Sequence, residues 1–128
     1  MTRAFRMAHA AKVDLIVASG ELAPDAASLA GELPNVHISG DWGTNFHPKA
    51  IEEGLVQRIQ LAPMSKITGF VSDATNVEWF YGRLQLARKA MALALAGLVE
   101  GRYFEEDEIP PLLGQVLDET PRRLYQLA

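Results

Sequence analysis

The chain has no cysteine, no long apolar run and no excess of basic residues among its 128 amino acids. Without cysteine it forms neither a disulfide framework nor a thiolate zinc site, which fits a reducing compartment or leaves the compartment open. The longest apolar run, residues 91–99, is nine residues long, whereas a helix that crosses a membrane needs about 20. A net charge of −4 argues against a nucleic-acid partner, because binding to phosphates requires a basic surface.

The sequence also contains no recognisable signal peptide, internal repeat or Gly/Ser/Pro-rich linker. We therefore expect one cytoplasmic domain over residues 1–128, with no membrane partner. The chain is 48% hydrophobic, enough for a real core. It is too short for a closed (β/α)8 barrel, which needs roughly 250 residues.

Three short apolar segments predict buried strands, at residues 13–18 (VDLIVA), 36–39 (VHIS) and 67–72 (ITGFVS). The first and third are nearly continuous in apolar residues, which is typical of strands covered on both faces of a parallel sheet. Only three strands are visible, so both edges of this sheet are exposed unless something pairs with them.

Helical patterns lie between and after the strands. They predict helices at residues 2–12, 24–32, 48–62, 77–100, 111–119 and 121–128. Thr75 and Glu78 form a capping-box signature before the longest of them, and Thr120 is the predicted cap before Pro121. In the long helix a second apolar line, Trp79, Leu86 and Leu93, predicts cover on more than one side. Alternation of strands and helices predicts α/β architecture with parallel βα units.

Residues suited to chemistry follow the predicted strands, since functional groups of parallel α/β folds collect at the carboxyl ends of strands. Asp73 comes directly after the third strand, where an aspartate can ligate a metal or accept a proton. The alternative is that Asp73 only complements the dipole of the next helix. The loop after the second strand, GDWGTNFH at residues 40–47, is the richest in functional groups but lacks the glycine pattern of a phosphate cradle.

Three other residues each have two interpretations. Trp42 either lines a sugar ring or packs over the end of the sheet. Arg83 either binds an anionic group through paired hydrogen bonds or forms an ion pair on the helix surface. His37, which shares a strand face with Ser39, is more often a hydrogen-bonded core residue than a ligand.

The order of these elements resembles the C-terminal third of uronate isomerase, a divergent member of the amidohydrolase superfamily. The resemblance covers roughly residues 13–127. It rests on a strand leading to Gly40, Trp42 and Asn45, a helix rich in Leu and Gln, the pair Ser72-Asp73, and a long helix with Arg83 and Arg88-Lys89. The ending LDETPRRLY, residues 117–125, looks like the closing helix of amidohydrolase-type barrels.

The resemblance implies a fold, a reaction and a set of site residues. This chain would supply about the last three βα units of a distorted TIM (β/α)8 barrel. Asp73 would match the aspartate that ends the eighth strand, approaches a divalent metal such as zinc and transfers a proton. The reaction would move a proton between C1 and C2 of a hexuronate, with Trp42 and Asn45 lining the sugar pocket and Arg83 binding polar substrate groups.

The sequence also departs from that family. The family's metal-binding His-x-His belongs to a region that this chain does not have. Thr75 stands where the family commonly has arginine, Gly43 replaces an aromatic residue and Phe46 replaces an acid. One aspartate cannot hold a catalytic metal, which usually needs three protein ligands.

Three hypotheses follow. In the first, the chain is the C-terminal segment of a uronate isomerase-like barrel, inactive alone, and completed by self-association or by an N-terminal barrel half. In the second, it is a free-standing, non-catalytic α/β module that binds a protein or a small molecule. In the third, it is a truncated product with no function of its own.

Overall fold

A computed structural model describes residues 11–41 and 46–128 of the chain. Two parallel strands and five helices follow one another: β1 (Val13–Val17), α1 (Ala23–Glu32), β2 (Val36–Asp41), α2 (Pro48–Leu61), α3 (Val77–Glu100), α4 (Ile109–Gly114) and α5 (Thr120–Tyr125). Short 3-10 turns occupy Gly20–Leu22, Met64–Lys66 and Glu106–Glu108. Most of the opening helix predicted at residues 2–12 lies outside the described residues.

The sheet consists of β1 and β2, paired in parallel and joined through α1. Val13 lies opposite Val36 and Leu15 opposite Ile38. The register then shifts by one residue, so that Ile16 lies opposite Gly40. Such a shift bends the strand locally and increases its twist. The strand-helix-strand order confirms the predicted α/β class of parallel βα units.

The prediction of a third strand at residues 67–72 is wrong, because only the first residues of this segment pair with the sheet. Ile67 forms a single parallel bridge with Ile38, and the Thr68 N–H donates to the Ile38 carbonyl at 3.0 Å. The next N–H, that of Gly69, donates to the carbonyl of Val116 at 3.1 Å. The segment leaves the sheet because the C-terminal helical region satisfies its backbone instead of β2.

The helix predictions are confirmed for α1, α2 and α3, but the cap of α3 differs. Asn76, not Thr75, is the N-cap, and its side-chain oxygen accepts a hydrogen bond from the Trp79 N–H at 2.9 Å. Asn76 has the extended backbone of an N-cap and directly precedes the first helical residue, as this geometry requires.

The C-terminal helices differ from the prediction as well. They run continuously, because a π-helical turn (Gln115–Glu119) joins α4 to α5. Thr120 is fully buried with helical backbone and does not act as a cap. Pro121 has no N–H to donate to the preceding turn, and the π-helical turn accommodates that lost bond without ending the helix.

One apolar core lies between the sheet and the helices. Helix α2 packs against α1 on one side and α3 on the other. The fully buried members of this core come from every layer, and include Ala27, Ala30, Ile38, Leu55, Ile67, Ala94 and Val116.

Helix α3 is buried along one side only. Its carboxyl-terminal half contributes Met91, Leu95 and Leu98 to the core. In contrast, Trp79 and Leu93 of the second apolar line are 56% and 53% exposed. The prediction that α3 is covered on more than one side is therefore wrong within this chain, because no element of the described residues packs there. Among those residues, none of the helices combines the length and apolar character needed to cross a bilayer.

Candidate functional site

Asp73 lies at a sharp turn between the bridge segment and α3. Its φ of 45° falls in the left-handed region, which aspartate and asparagine tolerate better than most residues do. The residue is exposed. Unusual backbone conformations at the end of a strand are often found at functional sites. The structure thus places Asp73 on an exposed turn before α3, beyond Thr68, where the segment has already left the sheet, so the predicted position directly after a strand is not found.

Arg83 is bound to the backbone next to Asp73. Its side chain is almost completely buried, with 8% of the residue exposed. One terminal nitrogen, Nη1, donates a hydrogen bond to the carbonyl of Ser72. Because Ser72 directly precedes Asp73, this bond fixes the turn that carries the aspartate against the second turn of α3.

Two aromatic rings enclose the same guanidinium. Its central carbon lies 4.1 Å from the centroid of the Phe46 ring and 5.5 Å from that of Trp79. A cation over a ring face is attracted by the ring's negative quadrupole, by about 1–2 kcal/mol where water is excluded. Within the described residues Arg83 forms no ion pair, so the surface ion pair is not the arrangement found here.

A shallow cavity of about 370 Å³ opens beside these groups. It is lined by Phe46, Glu78, Trp79, Gly82, Arg83 and Leu86. Aromatic and aliphatic walls with one cation and one carboxylate suit a small organic molecule that has an apolar face and a polar edge. The Nε of Arg83 is buried with no hydrogen-bond partner in the described part of the chain.

Sequence reasoning misses the contributions of Phe46 and Trp79. The pattern assigns Trp79 to an apolar helix line, and it marks Phe46 only as a departure from the family. The spacing contains a usable signal, because Trp79 and Arg83 are four residues apart on one helix and therefore neighbours on its surface. Trp42 and Asn45, the two other predicted substrate-binding residues, lie outside the described residues.

Gly40, near the end of β2, has a backbone conformation that requires glycine. Its φ of 139° is accessible to glycine but strained for any other residue. A Cβ atom at this position would meet Nη1 of the buried Arg58 at 3.2 Å. The close approach of backbone and guanidinium therefore requires glycine at this carboxyl end of β2.

The described residues do not fit a catalytic metal by themselves. Among them there is no group of three or more His, Cys, Asp and Glu side chains that could hold an ion. Asp73 would supply one ligand, and a catalytic site usually needs three. A divalent metal such as zinc, which the resemblance implies, thus requires ligands from elsewhere, and no chemical step can be assigned to a metal here.

A second set of polar side chains lies on the sheet and holds α5. The carboxylate of Asp14 accepts hydrogen bonds from the hydroxyls of Ser39 and Tyr125, and the Thr68 hydroxyl donates to Ser39. Burial and the hydrogen bond to Asp14 raise the pKa of Tyr125. This network joins β1, β2, the bridge segment and the last helix through polar contacts.

Comparison with known proteins points to one enzyme. No family model matches the chain. The uronate isomerase of Thermotoga petrophila is 24% identical over 114 residues, and that of Thermotoga neapolitana is 25% identical over the same length. The crystal structure of uronate isomerase from Thermotoga maritima superposes with a TM-score of 0.80 at 23% identity. The chain resembles a C-terminal portion of uronate isomerase.

The match extends over most of this chain but over only a small part of each relative. It covers 89% of this chain but only 25% of each uronate isomerase. The chain therefore spans about a quarter of the length of the relatives that it matches. The backbone likeness confirms the predicted fold class, in which these βα units correspond to part of a TIM barrel.

Proposed function

We propose that residues 1–128 form one partial barrel domain, the C-terminal segment of a uronate isomerase-like enzyme, and contribute one side of its sugar site. The activity would be the aldose-ketose isomerisation of a hexuronate. The observation that carries this proposal is the superposition on uronate isomerase, with a TM-score of 0.80 over 89% of the chain. The sequential order β1, β2 and bridge segment, with α1 and α2 between them, is the order of neighbouring strands in such a barrel.

Each predicted residue has a distinct role in this proposal. Asp73 carries the proton between C1 and C2 of the sugar, from an exposed turn before α3. Arg83 keeps that turn in place through Ser72 and directs unused guanidinium N–H groups toward polar substrate atoms. Trp42 and Asn45 line the sugar pocket.

The isolated chain is inactive in this proposal because it lacks the metal ligands. A uronate isomerase-like site takes a divalent metal such as zinc, and the described residues offer no cluster for one. The remaining part of the barrel supplies those ligands. A second copy of this chain is the other candidate partner, since self-association also covers exposed strand edges.

Exposed apolar side chains support the proposal that another part of a barrel packs against this chain. Ile16 of β1 is 48% exposed, and Val77, Trp79, Phe80 and Tyr81 at the start of α3 are all exposed as well. Exposed apolar side chains that cluster, as the four at the start of α3 do in sequence, are typical of interaction sites. In the related enzyme three quarters of the chain lies beyond the matched portion, and we propose that the equivalent barrel segment covers these residues.

A complementation assay tests the proposal. The N-terminal three quarters of Thermotoga maritima uronate isomerase, produced as a separate chain, is mixed with this chain, zinc and either glucuronate or galacturonate. We expect isomerisation only when both chains are present. Asp73→Asn should abolish it without unfolding the protein, because asparagine also tolerates the left-handed backbone.

Asp107→Asn is the matched control, since Asp107 is an exposed acid at the far end of α3 from Asp73. It should leave activity unchanged. Light scattering of the mixture should show a complex of the two chains. Full activity of Asp73→Asn in the complex would contradict the proposed role of Asp73, and a complex with no isomerase activity would contradict the proposed reaction.

The alternative function is a free-standing, non-catalytic binding module. The observation that favours it is the core of this chain, which joins residues from both strands and from α1, α2, α3 and α4 without another chain. A monomer by light scattering that unfolds cooperatively and contains no zinc by elemental analysis would support the module. A dimer or a complex with the barrel segment would support the enzyme.

A further inference from the structure

We propose that a cavity at the amino-terminal edge of the sheet binds a phosphate group. This basic cavity is defined by its lining residues, Lys12, Pro34, Asn35, His37, Ser65, Lys66, Arg123 and Leu124, and has a volume of about 450 Å³. The inference does not depend on the proposed isomerase function.

The position of the basic cavity follows from the topology. Lys12 directly precedes β1, Asn35 directly precedes β2, and Lys66 directly precedes the bridge residue Ile67. Because the three segments are parallel, their amino ends lie side by side. Arg123 of α5 lies over the same edge.

Backbone carbonyls hold the side chains of Lys12, Lys66 and Arg123 in place. The Lys12 ammonium donates to the Arg123 carbonyl at 2.5 Å, and one terminal nitrogen of Arg123 donates to the Ser65 carbonyl at 2.7 Å. The Lys66 ammonium donates to the Leu33 carbonyl at 3.1 Å and also to that of Pro34. These neutral partners orient the cations without neutralising them, and each cation keeps further N–H donors.

No carboxylate of the described side chains forms an ion pair with Lys12, Lys66 or Arg123. The segments outside the described residues, 1–10 and 42–45, contain no Asp or Glu at all. The carboxylate that acts on His37 is Asp14, which already accepts hydrogen bonds from two hydroxyls. The basic cavity therefore carries an excess of positive charge.

His37 shows the consequence of that excess. It is 6% exposed, and its Nδ1 is buried without a hydrogen-bond partner in the described residues. Burial lowers the pKa of His37, and the charges of Lys66 and Arg123 lower it further, against the opposite effects of Asp14 and a hydrogen bond to the Asn35 backbone. Burial and Arg123 lower the pKa of Lys66 as well. A bound anion would relieve this repulsion.

Phosphate fits the basic cavity better than a carboxylate does. A phosphate monoester carries close to two negative charges at neutral pH and three acceptor oxygens, which matches several converging cations with free donors. The cavity volume of about 450 Å³ exceeds that of a bare phosphate and lies in the range of small-molecule sites. A phosphorylated small molecule of sugar size is therefore the expected ligand, with inorganic phosphate as its minimal form.

Calorimetric titration with inorganic phosphate, at constant ionic strength, tests the proposal. We expect binding to the wild-type chain and about tenfold weaker binding for Lys66→Met or Arg123→Gln, because each removes a charge-assisted hydrogen bond. The matched controls are Lys89→Met and Arg88→Gln, two exposed positions on α3, which should bind as the wild type does. Equal binding by all four variants, or none by the wild type, would overturn the proposal.

An NMR measurement on the wild type does not depend on whether the variants fold. Phosphate should raise the pKa of His37 and shift its ring signals, whereas the exposed His47 should not respond. Equal responses of both histidines would indicate a general salt effect and overturn the proposal. Titrations with a hexose 6-phosphate and with the unphosphorylated hexose then distinguish the sources of the group. Tighter binding of the ester than of inorganic phosphate identifies a phosphorylated metabolite, and equal binding identifies the free anion.

Discussion

Gly40→Ala tests whether the backbone conformation near the end of β2 requires glycine. At φ 139° an alanine is strained by roughly 1–3 kcal/mol. Its Cβ would also lie 3.2 Å from Nη1 of Arg58, and that side chain is 4% exposed and has little room to move. Together these effects should lower the free energy of unfolding by about 2–4 kcal/mol.

The assay is urea unfolding followed by circular dichroism, supported by thermal melts. For a domain of this size a loss of 1 kcal/mol lowers Tm by about 3–5 °C, so the Tm of the variant should be roughly 6–20 °C lower. Gly97→Ala is the matched control, because a Cβ atom at that position would have no neighbouring atom within 4 Å. Gly97 is an exposed position inside α3, where alanine should stabilise the helix by about 0.5–1 kcal/mol.

The two substitutions therefore have the same chemistry and opposite expected signs. A Gly40→Ala variant as stable as the wild type would refute the reasoning, since it would mean that the end of β2 relaxes to an ordinary backbone conformation. It would also weaken the argument that the close approach of Arg58 requires glycine at this position.

Three further predictions concern the cap, the buried arginine and the buried histidine. Asn76→Ala should lower the free energy of unfolding by about 1 kcal/mol in urea titrations, while Thr75→Ala should not, because Asn76 is the cap. Arg83→Met should lower the free energy of unfolding by about 2–3 kcal/mol, because it loses the hydrogen bond to a carbonyl and the ring contacts. Arg88→Met, at an exposed position, should leave the free energy of unfolding unchanged. The lowered pKa of His37 means that the unfolded state binds the proton more readily. The free energy of unfolding should therefore fall as the pH drops below about 6.5, the pKa of histidine in the unfolded chain. His37→Gln should lack this pH-dependent loss of stability in unfolding experiments.

The sequence determined helices α1, α2 and α3 and the class of fold. Helices α1, α2 and α3 follow from Pro24, Pro48 and the apolar period of α3, because local propensity and a repeated apolar face are properties of a short stretch of chain. The order of motifs also predicted the resemblance to uronate isomerase, which the comparisons confirmed. The position of Asp73 directly after a strand was predicted from the chain order, but the third strand does not extend that far.

Only the tertiary structure decided where neighbouring groups meet. The Gly69 N–H is satisfied by Val116, 47 positions later in the chain, so the third strand ends where no local pattern shows it. Arg83 is buried between Phe46 and Trp79 because a loop and a helix converge on it. The basic cavity likewise joins Lys12, Lys66 and Arg123, which are distant in sequence and share no motif. Contacts of this kind depend on how the elements pack together, and a linear pattern carries information mainly about each element by itself.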